Sequence, residues 1–255
     1  MAVYKSKGIV LRSIRYGEAD RILDLYTRDA GLVSAIAKGV RRTRSRFGAR
    51  LEPLSCVDFV AYQGRTLDTV TQAELLRSFR GVREDLARFE AAAGMVGNVR
   101  ALSGGDEADR RVFNLLYKGL DALENSNSNL QPIEAAFGLK LSILAGYAPQ
   151  LDTCSGCGAN PDEASETPYF APDLGGILCS GCRSATGDAF PLPPGTLERL
   201  RALIERPIRD VSSENGLGES VLRVVRSHVL AHAPGHVPGH AFPNFSRLTT
   251  PRRPA

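Results

Sequence analysis

The sequence contains no long apolar run. No stretch approaches the roughly 18 consecutive apolar residues of a membrane-spanning helix. The start of the chain, Met-Ala-Val-Tyr-Lys-Ser-Lys-Gly, also lacks the charged and then apolar pattern of a secretory signal peptide. We therefore expect a cytoplasmic protein with no membrane partner. Apolar residues make up 43% of the 255 residues, which excludes a wholly disordered chain.

Several enzyme motifs are missing as well. The chain has no Gly-x-x-x-x-Gly-Lys-Ser/Thr segment, so it carries no P-loop for a nucleotide. It has neither the His-x-Glu and Pro-Cys-x-x-Cys pair of zinc deaminases nor the Lys-x-Asp-Gly of a DNA ligase. We therefore predict that the protein is not an enzyme.

Acidic residues are absent from residues 38–50, which hold six basic side chains. Like charges this close repel one another, so we expect an exposed segment that binds a polyanion. Nucleic acid fits best, because arginine forks match phosphate oxygens and the ring of Phe47 offers a base-stacking platform. The alternatives are a solvated loop without a partner and, for Phe47, a plug in the core. The predicted DNA-binding residues are Lys38, Arg41, Arg42, Arg44, Arg46, Phe47 and Arg50.

The positive charge belongs to the N-terminal third. Residues 1–80 hold 15 basic and 8 acidic side chains, a net charge of +7, whereas the remainder carries −3. This third also contains five short apolar runs with turn residues such as Gly31 and Gly64 between them. The predicted strands are residues 8–14, 21–26, 32–37, 56–62 and 67–73. Five short strands with one longer basic connection fit an OB-type barrel; another small barrel, such as an SH3-like one, is the alternative.

Helical spacing of apolar residues replaces the strand pattern after Gly81. The predicted helices are residues 83–102, 107–123, 132 to about 147, 196–205 and 218–232. The fold class is therefore α+β. A five-stranded OB-type β-barrel, residues 1–80, precedes a mainly α-helical domain, residues 81–255, with an embedded four-cysteine zinc site in the segment 150–187.

Cysteine is scarce, and its five copies are an odd number with four in two close pairs. This argues against a disulfide framework and for metal in a reducing compartment. Cys154-Ser-Gly-Cys157 and Cys179-Ser-Gly-Cys182 stand 21 residues apart, close to the spacing of four-cysteine zinc sites. We predict one structural zinc on Cys154, Cys157, Cys179 and Cys182, because four sulfurs leave no open position for catalysis.

Glycine at the third position of each pair lets backbone N–H groups point at a thiolate. The loop between the pairs is rich in proline and poor in apolar residues, so we expect it to be irregular and closed by the metal. Reduced cysteines that bind nothing and an iron–sulfur cluster are the alternatives. Cys56, beside Val57 and Phe59, reads as a small core residue.

The four histidines recur at every fourth position, as His228, His232, His236 and His240. Only the first two can share a helix face, because Pro234 and Pro238 would break a helix that continued past them. A second metal site here is an alternative, although no acid stands between the histidines as in zinc proteases.

Several short motifs accompany these features. They are Lys7-Gly-Ile-Val-Leu11, Gly17-Glu-Ala-Asp-Arg21, Lys38-Gly-Val-Arg-Arg42, Leu51-Glu-Pro53 and Leu67-Asp-Thr-Val-Thr-Gln-Ala73. Together with the cysteine pairs, they resemble the bacterial recombination mediator RecO over nearly the whole chain. Beyond Ala233 the sequence matches little of that family.

The resemblance implies an OB fold, a helical domain with embedded zinc, and DNA repair and recombination at the bacterial nucleoid. It implies binding to single- and double-stranded DNA and annealing of complementary single strands. It also implies that, together with RecR, the protein helps to load RecA onto single-stranded DNA coated by SSB. RecR and the SSB C-terminal tail would be direct partners, and RecA an indirect one.

The residues by themselves leave two other functions open. One is a zinc-ribbon RNA-binding or transcription-associated protein without annealing activity, which would prefer RNA in competition binding. The other is a metal-dependent nuclease that uses the histidines, which would cleave DNA when divalent metal is added.

Overall fold

The computed structural model describes residues 2–42, 45, 47–103, 108–127, 129–160, 167–213 and 216–232. The chain divides into two compact units. The first comprises residues 1–92 and 103–124, and the second comprises residues 93–102 and 125–255. Within the described ranges, no helix combines the length and the apolar character that crossing a membrane requires.

The N-terminal strands close into a barrel. They are β1 (Val3–Tyr16), β2 (Asp20–Thr27), β3 (Gly31–Ala37), β4 (Cys56–Tyr62) and β5 (Asp68–Arg77). Their order is β1-β2-β3-β5-β4, with β1 paired to β4 and a parallel contact between β3 and β5. All five predicted strands and the OB-type barrel are confirmed. β1 extends beyond its predicted bounds at both ends.

Alternate side chains of the strands fill the barrel, because successive residues of a strand point to opposite faces. Leu23, Leu25 and Phe59 are at most 1% exposed in this core. Gly8 lies where the backbone of β1 approaches that core closely. A Cβ atom at this position would lie 3.1 Å from side-chain atoms of both Leu25 and Phe59, so a larger residue has little room.

The helices follow the predicted positions. They are α1 (Arg80–Glu84), α2 (Leu86–Leu102), α3 (Arg110–Asn125), α4 (Gln131–Leu144), α5 (Thr196–Glu205) and α6 (Glu219–His232). The first predicted helix is two helices, because Asp85 has an extended backbone (φ −109°, ψ 123°) that separates α1 from α2. Residues 104–107, where the second predicted helix begins, lie outside the described residues.

A group of charged residues ties α3 to the end of β5 inside the first unit. The Nη2 atom of Arg77 lies 3.0 Å from carboxylate oxygens of both Asp121 and Glu124. The other oxygen of Glu124 accepts the backbone N–H of Gly81 at 3.1 Å. Glu124 therefore bonds both the side chain of Arg77 at the end of β5 and the backbone of Gly81 in α1.

α4 lies at the centre of the second unit and packs against α5 and α6. It is buried on most sides, and even Gly138 in its middle faces a neighbour. A Cβ atom on Gly138 would lie 3.4 Å from Val225 and 3.5 Å from Val229 of α6, so the two helices come close together.

The segment around the cysteine pairs differs from the irregular loop that the sequence predicts. It forms a three-stranded antiparallel sheet from β6 (Tyr169–Ala171), β7 (Gly176–Leu178) and β8 (Phe190–Pro191), in the order β7-β6-β8. Phe170, Ile177 and Leu178 are completely buried. The expectation of an irregular loop without apolar packing is therefore wrong for residues 169–178, which form two strands with buried side chains. Residues 161–166 lie outside the described residues.

Candidate functional site

The predicted basic stretch begins directly after β3. Lys38, Arg41, Arg42 and Arg50 are all exposed, as the repulsion between like charges requires. Arg44 and Arg46 lie outside the described residues. The part of the stretch that the structure describes is therefore a cationic surface.

The beginning of this stretch is anchored to the turn between β1 and β2, residues 17–19. The backbone N–H of Gly39 donates to Oδ1 of Asp20 at 2.7 Å. The backbone N–H of Arg41 donates to the carbonyl of Ala19 at 2.9 Å, and its Nη1 donates to the carbonyl of Glu18 at 3.0 Å. These bonds fix the position of the cations relative to the β1–β2 hairpin. The start of the basic stretch is therefore an ordered part of the surface.

The end of the stretch turns into the barrel. Residues Gly48–Leu51 form a 3₁₀ helix, and Leu51 and Phe47 at its two ends are each 1% exposed within the barrel core. Phe47 therefore has no free ring face for a base, and the predicted stacking platform is corrected to the alternative of a core plug. The physical reason is that an apolar ring gains more from the barrel interior than from solvent.

Two acidic side chains near the basic stretch are bonded to neighbouring residues. Glu52 forms an ion pair with Arg21, with Nη1 and Oε2 3.2 Å apart. Asp20 accepts the N–H of Gly39 as described above. Both carboxylates therefore serve to hold the local structure.

The sequence-based prediction missed the exposed end of β1. Tyr16 is 53% exposed and Ile14 38% exposed, on the hairpin to which Arg41 is bonded. The signal was the alternation in Ser-Ile-Arg-Tyr, residues 13–16, which continues the strand pattern beyond the predicted end.

The four paired cysteines converge at one place. Their Sγ atoms all lie within 4.8 Å of one another. β7 ends directly before Cys179, and the backbone N–H of Ser155 donates to the carbonyl of Ile177 at 2.8 Å, which brings the first pair to the second. Leu178 and Ala171 pack against Cys154 beneath the cluster. The three-stranded sheet is thus the support that holds the two pairs together.

Backbone groups surround one of these sulfurs. The N–H groups of Gly156 and Cys179 donate to Sγ of Cys154 at 3.4 and 3.3 Å. A Cβ atom on Gly156 would lie 3.1 Å from the side chain of Cys182, so glycine leaves the space that the fourth cysteine occupies. The predicted role of this glycine, to let N–H groups approach a thiolate, is confirmed for the first pair.

The protonation of the cluster is uneven. Burial by itself raises the pKa of Cys154, but backbone N–H groups of Cys179, Cys157 and Gly156 outweigh it and lower this pKa to about 6. Hydrogen bonds with the sulfurs of Cys179, Cys157 and Cys154 favour the protonated thiol of Cys182, which donates, and raise its pKa to about 12. Cys154 therefore ionises more readily than Cys182. A bound cation would favour the thiolate form of all four, and this donor set could hold a metal ion.

The histidines do not add to this cluster. His228 and His232 share a face of α6, as predicted, with ring centroids 4.7 Å apart. His228 is completely buried, its Nε2 bonds to the carbonyl of Tyr147 at 2.8 Å, and burial lowers its pKa to about 4. His236 and His240 lie outside the described residues. Among residues that the structure does describe, the four cysteines are the one group of three or more side chains able to ligate a metal.

Cys56 is buried at the start of β4, 2% exposed, and burial raises the pKa of its thiol to about 11. A thiol that stays protonated is a poor nucleophile. The interpretation of Cys56 as a small core residue is therefore confirmed.

Known protein families match nearly the whole chain. The family models described as "Recombination protein O N terminal" and "Recombination protein O C terminal" match residues 1–79 and 83–238. A DNA repair protein RecO from Rubrobacter xylanophilus is 67% identical over 234 residues, which cover 91% of this chain and 93% of that protein. Proteins of the same name from Heliobacterium modesticaldum and Symbiobacterium thermophilum are 38% and 36% identical, over 88% and 91% of this chain and 82% and 92% of theirs. The chain therefore belongs to the RecO family of DNA repair proteins.

Proposed function

We propose that the protein binds DNA through the barrel end that carries residues 38–50, and that it anneals complementary single strands. We propose further that it acts with RecR to load RecA onto single-stranded DNA coated by SSB. Membership of the RecO family of DNA repair proteins supports a role in DNA repair. The observation that carries the DNA contact is the exposure of Lys38, Arg41 and Arg42 on a segment bonded to the β1–β2 turn. Arg44, Arg46 and Arg50 belong to the same proposal by their charge.

Annealing in this proposal needs no catalysis. Cations that neutralise the phosphates of two strands at once lower the repulsion between them and raise their local concentration. Base pairing then supplies the free energy, which agrees with a sequence that has no P-loop. Contacts to phosphate carry no sequence information, so both single strands and duplex of any sequence are bound.

The metal in this proposal is one structural zinc. The donor set supports it, because a soft four-sulfur site suits zinc in tetrahedral geometry and leaves no position for a reacting water. When bound, the metal would join the turn after Leu151 to the turn after Leu178 and so brace the second unit. An iron–sulfur cluster in the same place would be seen as visible absorption in the purified protein.

The division of labour follows the charge. We assign DNA binding to residues 1–80, which carry the net charge of +7, and the zinc site to residues 81–255. We place the site for the acidic SSB tail in the latter part also, on the strength of the family alone. Cross-linking of a labelled tail peptide to the full chain tests this placement, and cross-links confined to residues 1–80 would contradict it.

Salt dependence of binding tests the DNA contact. Lys38 and Arg42 are replaced together by alanine, since both are exposed and neither supports the turn through a side-chain bond described above. Each lost phosphate contact should reduce the slope of log K against log salt by about 0.7 on single strands, hence by about 1.4 for two. The matched control replaces two exposed cations on helices of the first unit, Arg80 and Lys118, with the same change in net charge.

The expected result is a smaller slope and slower annealing for the Lys38/Arg42 variant and parent-like behaviour for the control. Equal effects in both variants would mean that only net charge matters, and the proposed surface would be wrong. Tighter binding of RNA than of DNA in competition would favour the alternative of an RNA-binding protein.

A further inference from the structure

The outer face of the β1–β2 hairpin carries an exposed apolar strip, which the binding of phosphates by cations does not explain. Ile14 and Tyr16 stand two residues apart on β1, so both side chains point to the same face. Tyr16 is 53% exposed and Ile14 38% exposed. Ile14 pairs with Ile22 of β2, and Ile22 pairs with Ile36 of β3. These four residues, Ile14, Tyr16, Ile22 and Ile36, form what we term the hairpin platform.

The same face is covered farther along β2. Tyr26, four residues after Ile22 and therefore on the same side of the strand, is 1% exposed. Its hydroxyl donates to the backbone carbonyl of Asp109, directly before α3. The apolar side chains of this face are therefore buried at the Tyr26 end and exposed to solvent at the Tyr16 end.

Cations border the hairpin platform. Arg12 is exposed on the same face as Ile14, and Lys38 and Arg41 follow β3 at the end where it pairs with Arg21 of β2. Two acidic side chains on this face form hydrogen bonds with neighbouring residues. Asp20 accepts the N–H of Gly39 at 2.7 Å, and Asp24 accepts the hydroxyl of Ser34 at 2.9 Å. An apolar aromatic surface within a cationic border matches a polyanion that also presents flat apolar groups.

Single-stranded nucleic acid is the partner with that chemistry. Its bases are free to stack on an aromatic ring while its phosphates reach the flanking cations. A duplex keeps its base faces stacked inside and offers them to no ring. We propose that Tyr16, supported by Ile14, is the base-stacking platform of this protein and selects single strands over duplex. This inference rests on the proposed function and assigns to Tyr16 the role that the sequence suggested for Phe47.

The absence of tryptophan from the chain allows a direct test. Tyr16→Trp places the single indole of the protein at the hairpin platform. Tyr62→Trp is the matched control, because Tyr62 is a similarly exposed tyrosine, 45%, that pairs with Val3 at the opposite end of β1. Each full-length variant is titrated with oligo-dT and with duplex, while the anisotropy of a labelled oligonucleotide gives the affinity separately.

Saturating oligo-dT should quench the indole emission of the Tyr16→Trp variant and leave that of the Tyr62→Trp variant nearly unchanged, while both variants bind equally well. Saturating duplex should leave both emissions unchanged. Tyr16→Ala should weaken binding of single strands by about 5- to 150-fold, by the same factor at every salt concentration. Tyr62→Ala should stay within about twofold of the parent, and both alanine variants should unfold at the parent temperature because each ring is exposed.

The outcomes separate the two proposals. Binding of oligo-dT without quenching in the Tyr16→Trp variant would overturn the stacking role and leave the proposed function intact. Quenching in the Tyr62→Trp variant alone would place the strand at the other end of the barrel and also overturn it. If the parent binds neither oligo-dT nor duplex, the proposed function itself fails.

Discussion

Replacement of Phe47 separates a core residue from a DNA contact. The side chain is 1% exposed and belongs to the barrel core together with Leu23, Leu25 and Leu51. Removing a fully buried phenylalanine ring typically costs about 3–5 kcal/mol, which combines lost burial with an unfilled cavity. A domain has a total stability of only about 5–15 kcal/mol. We therefore expect Phe47→Ala to lower the unfolding temperature of the first unit by roughly 10 °C or more.

Phe47→Leu supplies the second half of the test. Leucine keeps an apolar side chain of broadly similar volume, so its cost should stay below about 1.5 kcal/mol, but it removes the aromatic face. Thermal unfolding followed by circular dichroism, with metal present throughout, measures stability. Titration of a labelled oligonucleotide well below the transition measures affinity. The leucine variant should bind single-stranded DNA like the parent.

The opposite pattern would contradict a purely structural role of Phe47. If Phe47→Leu unfolds at the parent temperature but binds about tenfold more weakly at every salt concentration, the ring stacks on bases after all. The barrel would then have to release Phe47 on binding. The alanine variant alone could not show this, because a partly unfolded barrel also binds weakly.

Other perturbations test other parts of the structure. Cys154→Ser should reduce the zinc content, which we expect to be about one per chain from the four-ligand rule, and should destabilise the second unit alone; a parent that stays fully folded after chelation would contradict this. His228 has a folded pKa of about 4, below its unfolded value, so its stabilising contribution is complete above about pH 6.5 and falls by up to about 3 kcal/mol as the pH drops toward 4. The parent should therefore lose stability relative to His228→Gln over that range, and parallel pH profiles would count against a buried neutral imidazole. Glu124→Gln should weaken the bonds to Arg77 and lower the stability of the first unit by about 1–2 kcal/mol in urea unfolding, and an unchanged midpoint would show that Asp121 suffices.

The local patterns of the sequence predicted the features that depend on local chemistry. Strands, helices and cysteine pairs each have a period or a spacing that neighbouring residues carry. The bounds of α5, Thr196–Glu205, agree with the prediction because its apolar positions and the following Pro207 mark both ends. The clustering of the cysteines agrees with their spacing in the same way.

The features that the sequence could not show depend on partners far away in the chain. Phe47 stands in a basic run, and only the barrel core explains its burial. β6 and β7 are three residues each, too short for any period, and become strands through pairing and the burial of Phe170. The end of β1 was underestimated because only Arg15 and Tyr16 follow Ile14 before the turn, and neither is buried in a core that would mark the strand.

The interleaving of the two units sets an order of events during synthesis. The first unit needs residues 103–124, but residues 93–102, which belong to the second unit, leave the ribosome before them. All five barrel strands therefore emerge while Arg77 still lacks its carboxylate partners Asp121 and Glu124. The first unit therefore has all of its residues available only after α3 has cleared the exit tunnel. N-terminal fragments made to map DNA binding should accordingly end after Asn125. A chain cut at residue 80 would lack Asp121 and Glu124, and it would also lack Asp109, whose carbonyl accepts the hydroxyl of Tyr26.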